Sequence, residues 1–352
     1  MIFYSINLVI FIIYSLFTNT YYQDRRAYFW LILTHLTLLL GLRSSIVGTD
    51  TPQYVSFYLA QNSGFNGNGT LVYSALSSVV DHLTNGNYHV FLFILSLATV
   101  FCILKSVELF SGDEDLMFLS IYVYLTFYFY FESFNIQRQM LAVSMVMLAM
   151  ALLSRHHLLG SVIMFVLAIG IHSTAIFAIV GYIVWFIKKS KFTFGVMAVL
   201  AALSNLFLAN LLNNFSQLFD HYQMYTDAVL VSGGGTLLLG IFLLALVLIA
   251  IFITDILDDQ AAGFTVFMTA IGAILYIVGM KSQLIIRMAD YFAIYSIISI
   301  PQMVLAISRR FKNRKLVDLT LVTVVVVVGL AIFYYKLINN LGDIIPYSLN
   351  SI

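Results

Sequence analysis

Three arginines, Arg43, Arg138 and Arg287, lie at the ends of long apolar runs in a chain that has few charges. Arginine carries a planar, permanently charged fork of donors that matches paired phosphate oxygens. An ionisable residue at the edge of an apolar segment needs a partner or a function. Three arginines from distant parts of the chain therefore predict an anion site, best suited to a diphosphate. For each arginine alone, the alternative is a contact with lipid headgroups or with a nearby carboxylate.

Two further residues, Asp50 and His172, can take up a proton. Asp50 stands in the turn sequence "RSSIVGTDTPQY", where an Asx turn would explain it without a function. His172 stands between two apolar runs in "AIGIHSTAIF", and its imidazole titrates near neutral pH. His172 could be a base or a phosphate donor in a recessed pocket, or a hydrogen-bonded histidine at a tight turn. The residue types leave the choice of base between Asp50 and His172 open.

The composition of the chain limits the elements that can position these residues. Of its 352 residues, 61% are hydrophobic and 9% are charged, whereas soluble domains carry about 25% charge. So few charges exclude an ordinary soluble enzyme, and the formal net charge of +1 argues against nucleic acid as a partner. The single cysteine, Cys102, lies inside an apolar run, which excludes a disulfide framework and a thiolate metal cluster.

The apolar runs predict an all-α, polytopic membrane protein that forms a single membrane domain over residues 1–352. At roughly 20 residues for each span, we expect about twelve transmembrane helices, over residues 2–18, 27–42, 88–110, 116–131, 137–154, 157–171, 174–187, 192–212, 236–254, 261–280, 286–307 and 316–335. No strong internal repeat divides the chain into two halves, which weakens a transporter interpretation.

The basic residues predict which side of the membrane each loop faces. Twelve of the 17 lysines and arginines fall in one set of loops, which the positive-inside rule places in the cytoplasm. Both termini then face outward, to the periplasm or the cell exterior. The outer set holds the other five basic residues, which are Arg43, Arg138, Lys281, Arg287 and Lys336. The three candidate arginines therefore share the outer face.

Two outer segments are long, over residues 43–87 and 213–235. The first carries apolar residues at helical spacing over residues 71–83, which predicts an amphipathic helix that lies on the outer interface or caps a cavity. The second mixes aromatic and ionisable residues and ends in three glycines. Both segments are long enough to contact a substrate.

The segment over residues 157–187 is expected to cross the membrane twice as two short helices. One long helix is the alternative, but it would move the basic residues 309–315 to the outer face, against the charge rule. Two short crossings leave the turn at His172 recessed below the outer surface.

The run "IYVYLTFYFYFESF" at residues 121–134 is dense in tyrosine and phenylalanine. Such a run at the end of a membrane helix is typical of an aromatic belt at the lipid–water interface. The alternative is a surface that contacts the apolar faces of sugar rings.

Several familiar site motifs do not occur. The sequence has no P-loop, no Gly-x-Gly-x-x-Gly that opens a helix after a strand, no His-Glu-x-x-His and no Gly-x-Ser-x-Gly elbow. We therefore expect no metal site, no cofactor and no nucleotide-sugar donor. A lipid-carried substrate with its own diphosphate fits the arginines better.

Four segments resemble the EpsG-like branch of the bacterial polysaccharide polymerases, which includes Wzy-type O-antigen polymerases. "GLRSSIVGTDTPQYVSFY" is similar to the family's Arg…Gly-Thr-Asp…Tyr…Phe signature, and "FNIQRQMLAVSMVMLAMALL" to its Arg-Gln…Ala segment. "LAIGIHSTAIFAIVG" resembles its His-Ser turn, and "IIRMADYF" its later Arg…Tyr-Phe. The four segments follow in order over residues 40–295. One departure is Gln137, where family members more often carry an apolar residue.

The resemblance implies a multi-pass glycosyltransferase of the bacterial inner (plasma) membrane, in O-antigen, lipopolysaccharide or capsule synthesis. Its substrate would be an undecaprenyl-diphosphate-linked oligosaccharide, with membrane lipids and a chain-length regulator protein as further partners. The growing glycan would pass from its lipid diphosphate to the terminal sugar of a new repeat unit. The alternatives are an O-antigen ligase with the same donor, and a flippase or transporter of lipid-linked oligosaccharide.

The resemblance and the residue chemistry together define the candidate site. The catalytic candidates are Arg138, Asp50 and His172. The residues expected to bind the diphosphate or the sugars are Arg43, Arg287, Lys281, Asp290, Tyr54 and Gln139. Asp290 follows Arg287 by three residues, a spacing that also allows a purely structural helical ion pair.

Overall fold

Helices make up the described part of the chain almost entirely. A computed structural model of the protein describes residues 1–17, 25–60, 70–112, 116–203, 234–279 and 282–349. Its α-helices are α1 (Ile2–Phe17), α2 (Arg25–Gly41), α3 (Thr51–Ala60), α4 (Leu71–Thr84), α5 (Tyr88–Ser111), α6 (Met117–Thr126), α7 (Phe129–Glu132), α8 (Gln137–Ser154), α9 (Leu158–Ile171), α10 (Ile179–Phe186), α11 (Lys191–Leu203), α12 (Gly234–Ile253), α13 (Gln260–Val278), α14 (Gln283–Ala293), α15 (Ser296–Ser308) and α16 (Arg314–Ile338). The all-α prediction is confirmed for the described residues.

Several of these helices can cross a membrane. Among the described residues, five helices are long and apolar enough to span a bilayer, namely α5, α8, α12, α13 and α16. The number becomes six if α14 and α15, which meet at a 48° bend, form one broken span. The protein is therefore a multi-pass membrane protein. A helix occurs within each of the twelve predicted spans, but the number of crossings and the side of the termini stay predictions.

The chain forms two compact units. The first comprises Met1–Ile176 together with Gly329–Ile352, and the second comprises Phe177–Val328. In the first unit, α8 packs between α5 and α9, and α2 packs on α5. In the second unit, α13 packs on both α12 and α14. The prediction of a single membrane domain stays a prediction.

The helix predicted over residues 116–131 is broken into α6 and α7. Tyr128 lies at the break with a left-handed backbone (φ 78°), a conformation that costs energy for a bulky residue and that needs support from its surroundings. Its hydroxyl donates to the carbonyl of Leu341 at 2.8 Å, and the amine of Lys336 lies 4.5 Å from its ring centre. Contacts with the C-terminal part of the chain therefore compensate the break.

The aromatic run over residues 121–134 is buried. Tyr124 and Tyr130 are fully buried, and the hydroxyl of Tyr130 donates to the carbonyl of Leu36 at 2.8 Å. Its phenylalanines are also buried, and Phe131 stacks on Phe134 at 5.8 Å. The prediction of an aromatic belt, and its alternative of a sugar-binding surface, are therefore both wrong for this run. It forms the core of the first unit.

The helix predicted over residues 286–307 is also divided, into α14 and α15. Gly272 of α13 lies so close to α14 that a Cβ there would be 2.3 Å from the backbone nitrogen of Ala293. Just after α14, Tyr295 is fully buried and meets Phe264 edge-on at 5.3 Å. These contacts hold the end of α14 against α13 at the position of the 48° bend.

The predicted break at His172 is confirmed. Helix α9 ends at Ile171, His172 has an extended backbone (φ −147°, ψ 116°), and a 3-10 helix follows over Ser173–Ala178. An extended residue cannot continue a helix, so one continuous helix through this segment does not occur.

The predicted amphipathic helix over residues 71–83 is α4, but its buried face is narrower than expected. Tyr73, Ser77 and Val80 are buried, whereas Leu71 is 84% exposed. The prediction missed α3, which follows Asp50 directly and begins with Pro52 in its first turn, a favourable place for proline. The other long outer segment, 213–235, lies outside the described residues up to residue 233.

Candidate active site

Arg138 lies where three helices of the first unit meet. It occupies the first turn of α8 and is half-buried. Its Nη2 donates to Thr70 Oγ1 at 3.3 Å and is 3.5 Å from the carbonyl oxygen of Ile171. The guanidinium carbon lies 4.2 Å from the centre of the Tyr73 ring, within cation–π distance. Residues from the start of α4 and the end of α9 thus hold the arginine of α8.

Close packing of α4 on α9 fixes this arrangement. The hydroxyl of Thr70 donates to the carbonyl of Ile171 at 2.6 Å. A Cβ at Gly170 would lie 2.2 Å from Cγ2 of Val72, so glycine is needed for the two helices to approach. Within this packing, the Nε of Arg138 is buried and has no hydrogen-bond partner among the described residues.

His172 follows Ile171 and so lies beside the same helix end. Its Nδ1 is 2.6 Å from Thr174 Oγ1, and the imidazole is half-buried. This contact fixes the orientation of the ring. His172 therefore directly follows the residue whose carbonyl oxygen lies 3.5 Å from Arg138 Nη2.

The Gly48-Thr49-Asp50 loop is attached to the turn that precedes α8. Gly48 has a φ of +98°, and a Cβ there would lie 2.2 Å from the carbonyl oxygen of Phe134. The amide of Thr49 donates to Asn135 Oδ1 at 2.7 Å. Asp50 is half-buried and precedes α3, where its carbonyl accepts from the amide of Tyr54 at 3.1 Å. The loop that carries Asp50 is thus attached to the turn that precedes the helix of Arg138.

The C-terminal segment after α16 closes over this loop. The amide of Gly48 donates to the carbonyl of Asp343 at 3.0 Å, and Thr49 Oγ1 donates to Asp343 Oδ2 at 3.2 Å. The amide of Ser44 donates to the carbonyl of Ser348 at 2.8 Å. Sequence reasoning missed this contact. The only signal is a run of turn-forming residues after the last apolar run, "NNLGDIIPYS".

Arg43 is fully buried beneath the same loop. It donates to the carbonyl of Leu40, to Thr51 Oγ1 at 3.4 Å and to Gln137 Oε1 at 3.2 Å. Burial lowers the pKa of Arg43 to about 10, so the side chain is still charged at neutral pH. Gln137 also donates to the carbonyl of Leu92 at 3.4 Å. Arg43 therefore contacts residues on both sides of the loop, Thr51 after it and Gln137 at the start of α8.

Tyr54 and Gln139 lie near these arginines. Burial raises the pKa of Tyr73, the charge of Arg138 lowers it, and Tyr54 raises it again. Tyr54 is half-buried in α3 and also raises the pKa of Arg43. Gln139 is buried within α8, one residue after Arg138.

Arg287 and Asp290 belong to the second unit. Both lie on α14, where Arg287 is half-buried. Asp290 is buried, and its Oδ1 accepts from the hydroxyl of Tyr276 at 2.8 Å. Lys281 lies outside the described residues. One site that joins all three arginines therefore stays a prediction.

The arrangement in the first unit can bind an anion and move a proton. The unit carries a half-buried arginine, an imidazole held by Thr174 and a half-buried carboxylate on a loop attached to the turn before α8. Within the described ranges, no group of three or more His, Cys, Asp or Glu side chains could hold a metal ion.

Comparison with known proteins decides the family. The model of the EpsG family matches residues 26–349. The chain belongs to the EpsG family. EpsG proteins are Wzy-type polymerase-like proteins, so the resemblance seen in the four short motifs is confirmed over nearly the whole chain. The EpsG match includes the Arg138 site, α14 and the C-terminal segment that closes over the Gly48 loop. No curated protein and no solved structure matches the chain.

Proposed function

We propose that this protein is a polysaccharide polymerase of the O-antigen type. It transfers a growing glycan from undecaprenyl diphosphate to the terminal sugar of a lipid-linked repeat unit. The observation that carries the proposal is Arg138, a half-buried arginine held by α4 and α9 in a member of the EpsG family. Its planar, charged guanidinium is half-buried and suits a diphosphate oxygen.

In this proposal, Arg138 stabilises the leaving group. The bond between the anomeric carbon and the diphosphate oxygen breaks, and negative charge increases on the departing undecaprenyl diphosphate. A fixed cation beside that oxygen stabilises the transition state more than the ground state. Arg287 and Lys281 are proposed to contact the lipid-linked substrate, and Arg43 to position the loop that carries Asp50.

A base takes the proton of the attacking hydroxyl while the new glycosidic bond forms. His172 is our first choice, because it directly follows Ile171, whose carbonyl oxygen lies beside Arg138, and because its ring is held by Thr174. Asp50 is the second, because its loop is attached to the turn before α8. Tyr54, Gln139 and Asp290 are proposed to contact the substrate or the residues that position it.

The reaction is proposed to take place at the outer face of the bacterial plasma (inner) membrane, without a cofactor. That placement agrees with the outer position that the charge pattern predicts for the candidate arginines. Membrane lipids and a chain-length regulator protein are the proposed partners besides the lipid-linked oligosaccharide.

Purified protein in lipid vesicles, supplied with an undecaprenyl-diphosphate-linked repeat unit, tests the proposal. A ladder of lipid-linked products, spaced by one repeat unit, is the expected result. Movement of the repeat unit across the vesicle membrane without a new glycosidic bond would instead indicate a transporter. Transfer only onto added lipid A core would indicate a ligase. Either of these two results would overturn the polymerase assignment.

A further inference from the structure

Asn135 is a buried residue of the first unit that has no role in the proposed reaction. It lies in the turn between α7 and α8, three residues before Arg138. Its side chain accepts the hydrogen bond from Thr49 that attaches the Gly48 loop to this turn. Because Thr49 directly precedes Asp50, Asn135 connects the chain segments of two catalytic candidates.

The turn before α8 holds the loop on both sides of Asp50. On one side, Asn135 Oδ1 accepts from the amide of Thr49 at 2.7 Å. On the other side, Thr51 Oγ1 lies within hydrogen-bond distance of the Phe134 carbonyl oxygen, at 2.9 Å. The residues that flank Asp50 thus bind two consecutive residues of the same turn. This arrangement fixes the backbone of Asp50 relative to the start of α8.

Only one of these two bonds depends on the type of side chain in the turn. The partner of Thr51 is a backbone carbonyl, which any residue at position 134 would supply. The partner of Thr49 is a side-chain oxygen, and an alanine at position 135 would not supply it. The identity of Asn135 therefore determines whether the loop is held on both sides.

The stability of the fold depends less on this bond than the position of the loop does. The amide of Thr49 also donates to the carbonyl of Gly342, at 3.1 Å. Without the Asn135 oxygen, the amide would keep an acceptor, so the free-energy cost of an unpaired donor would not arise. Gly342 belongs to the C-terminal segment, however, whereas Asn135 belongs to the turn before α8. Only the Asn135 bond joins this amide to that turn.

The C-terminal segment also confines the side chain of Asn135. A Cβ at Gly342 would lie 2.1 Å from Nδ2 of Asn135, so the glycine packs directly on the amide group. The amide of Asn135 therefore lies between the Gly48 loop and the C-terminal segment. A side chain whose rotamer is fixed by packing can hold a functional loop in a defined place.

We propose that Asn135 is a positioning residue for Asp50, which it acts on through the amide of Thr49. The inference rests on the proposed function, in which Asp50 is a candidate for the base. A misplacement of about 1 Å in a reacting group can lower a rate about 100-fold. Loss of the Asn135 bond should therefore reduce the rate of the chemical step more than the binding of substrate.

A double-mutant cycle of Asn135→Ala and Asp50→Asn tests the proposal, with the undecaprenyl-diphosphate-linked repeat unit as substrate. We expect Asn135→Ala to lower kcat about 10- to 100-fold, with KM within about threefold of wild type. The Tm should fall only slightly, because the amide of Thr49 keeps the Gly342 carbonyl as an acceptor. In the Asp50→Asn protein, Asn135→Ala should cause no further loss, since it acts through the residue already replaced.

Asn339→Ala is the matched control. The side chain of Asn339 is exposed and donates to the carbonyl of Tyr335 in its own helix, at 2.7 Å. This variant should keep the kcat and the Tm of the wild type.

Three results would overturn the proposal. The first is a pair of losses that multiply in the double variant, and the second is a fall in Tm that parallels the loss of kcat. The third is a wild-type rate in Asp50→Asn, because the loop would then carry no residue that needs positioning. In each case, polymer formed by the wild type would leave the polymerase assignment intact.

Hydrogen exchange separates the inference from the proposed function. If the wild type makes no polymer, the polymerase assignment fails, but the contact can still be measured in the purified protein. Faster amide exchange over residues 44–51 in Asn135→Ala than in Asn339→Ala would support the role of Asn135 in holding the loop. Equal exchange in the two variants would overturn it.

Discussion

The guanidinium carbon of Arg138 lies 4.2 Å from the centre of the Tyr73 ring. The two residues come from different helices, and Thr70 and Ile171 hold the same guanidinium from a second direction. A cation that is fixed in this way loses little conformational freedom when it binds an anion. Tyr73 is therefore a positioning residue for Arg138.

Replacing the Tyr73 ring should reduce catalysis more than folding. We expect Tyr73→Leu to lower kcat/KM by about 3- to 30-fold, because cation–π contacts contribute about 0.5–2 kcal/mol. Tyr73→Phe keeps the ring and is the matched control, so it should stay within about twofold of wild type. Steady-state kinetics of the two purified variants provide the measurement. Equal losses in both would mean that the hydroxyl, rather than the ring face, supports the site.

Gly48 should not tolerate a side chain. Its φ of +98° and the 2.2 Å distance that an added Cβ would have from the Phe134 carbonyl oxygen both disfavour alanine. We expect Gly48→Ala to lower the free energy of unfolding by at least about 1 kcal/mol and to reduce activity. The control is Gly195→Ala in α11, where no atom lies within 4 Å of an added Cβ. Gly195→Ala should leave the Tm unchanged or raise it. A Gly48→Ala protein with the Tm and activity of the wild type would contradict the loop geometry.

The C-terminal segment should be needed for activity. Deleting residues 342–352 removes the carbonyl groups that accept from Gly48 and Ser44, and the carboxylate that accepts from Thr49. The shortened protein should unfold at a lower temperature and lose polymerisation. Asp343→Ala removes only one of these bonds and should have a smaller effect. A chain shortened by residues 350–352 alone, which lie beyond the family match, is the control. Full activity after the long deletion would contradict a role for the segment.

The pH dependence of the rate should identify the base. A histidine base must be neutral, so the rate should fall as the pH decreases below about 6.5 if His172 takes the proton. If Asp50 takes it, the rate should persist down to about pH 4. Profiles of wild type, His172→Ala and Asp50→Asn distinguish the two. His172 is excluded as the base if the limb near pH 6.5 remains in His172→Ala.

Apolar periodicity predicts individual helices of this chain well. The predicted segment 137–154 coincides with α8, and the helix end before His172 was expected because a polar residue interrupts two apolar runs. The amphipathic helix at 71–83 was also expected. Such patterns indicate that a segment is helical and apolar, but they do not indicate whether lipid or other helices of the protein cover it.

Contacts between distant segments were not predictable in the same way. The C-terminal segment binds the Gly48 loop mainly through backbone groups, which leave no side-chain pattern in the sequence. Arg43 is buried beneath the loop that the C-terminal segment covers, and it donates to the side chain of Gln137. A hydropathy profile predicts neither contact. The buried aromatic run shows the same limit, since lipid-facing and core-facing aromatic residues have the same composition.

The role of Arg138 in chain extension is the central claim, and it is tested most directly by kinetics of purified Arg138→Ala and Arg138→Lys on the lipid-linked repeat unit. We expect Arg138→Ala to lower kcat by about 10²- to 10³-fold without loss of membrane insertion. Arg138→Lys should recover little, because an ammonium group lacks the planar fork. Arg26→Ala, at an exposed arginine of α2, should behave as wild type. A ladder of normal length, formed at the normal rate by Arg138→Ala, would contradict the claim.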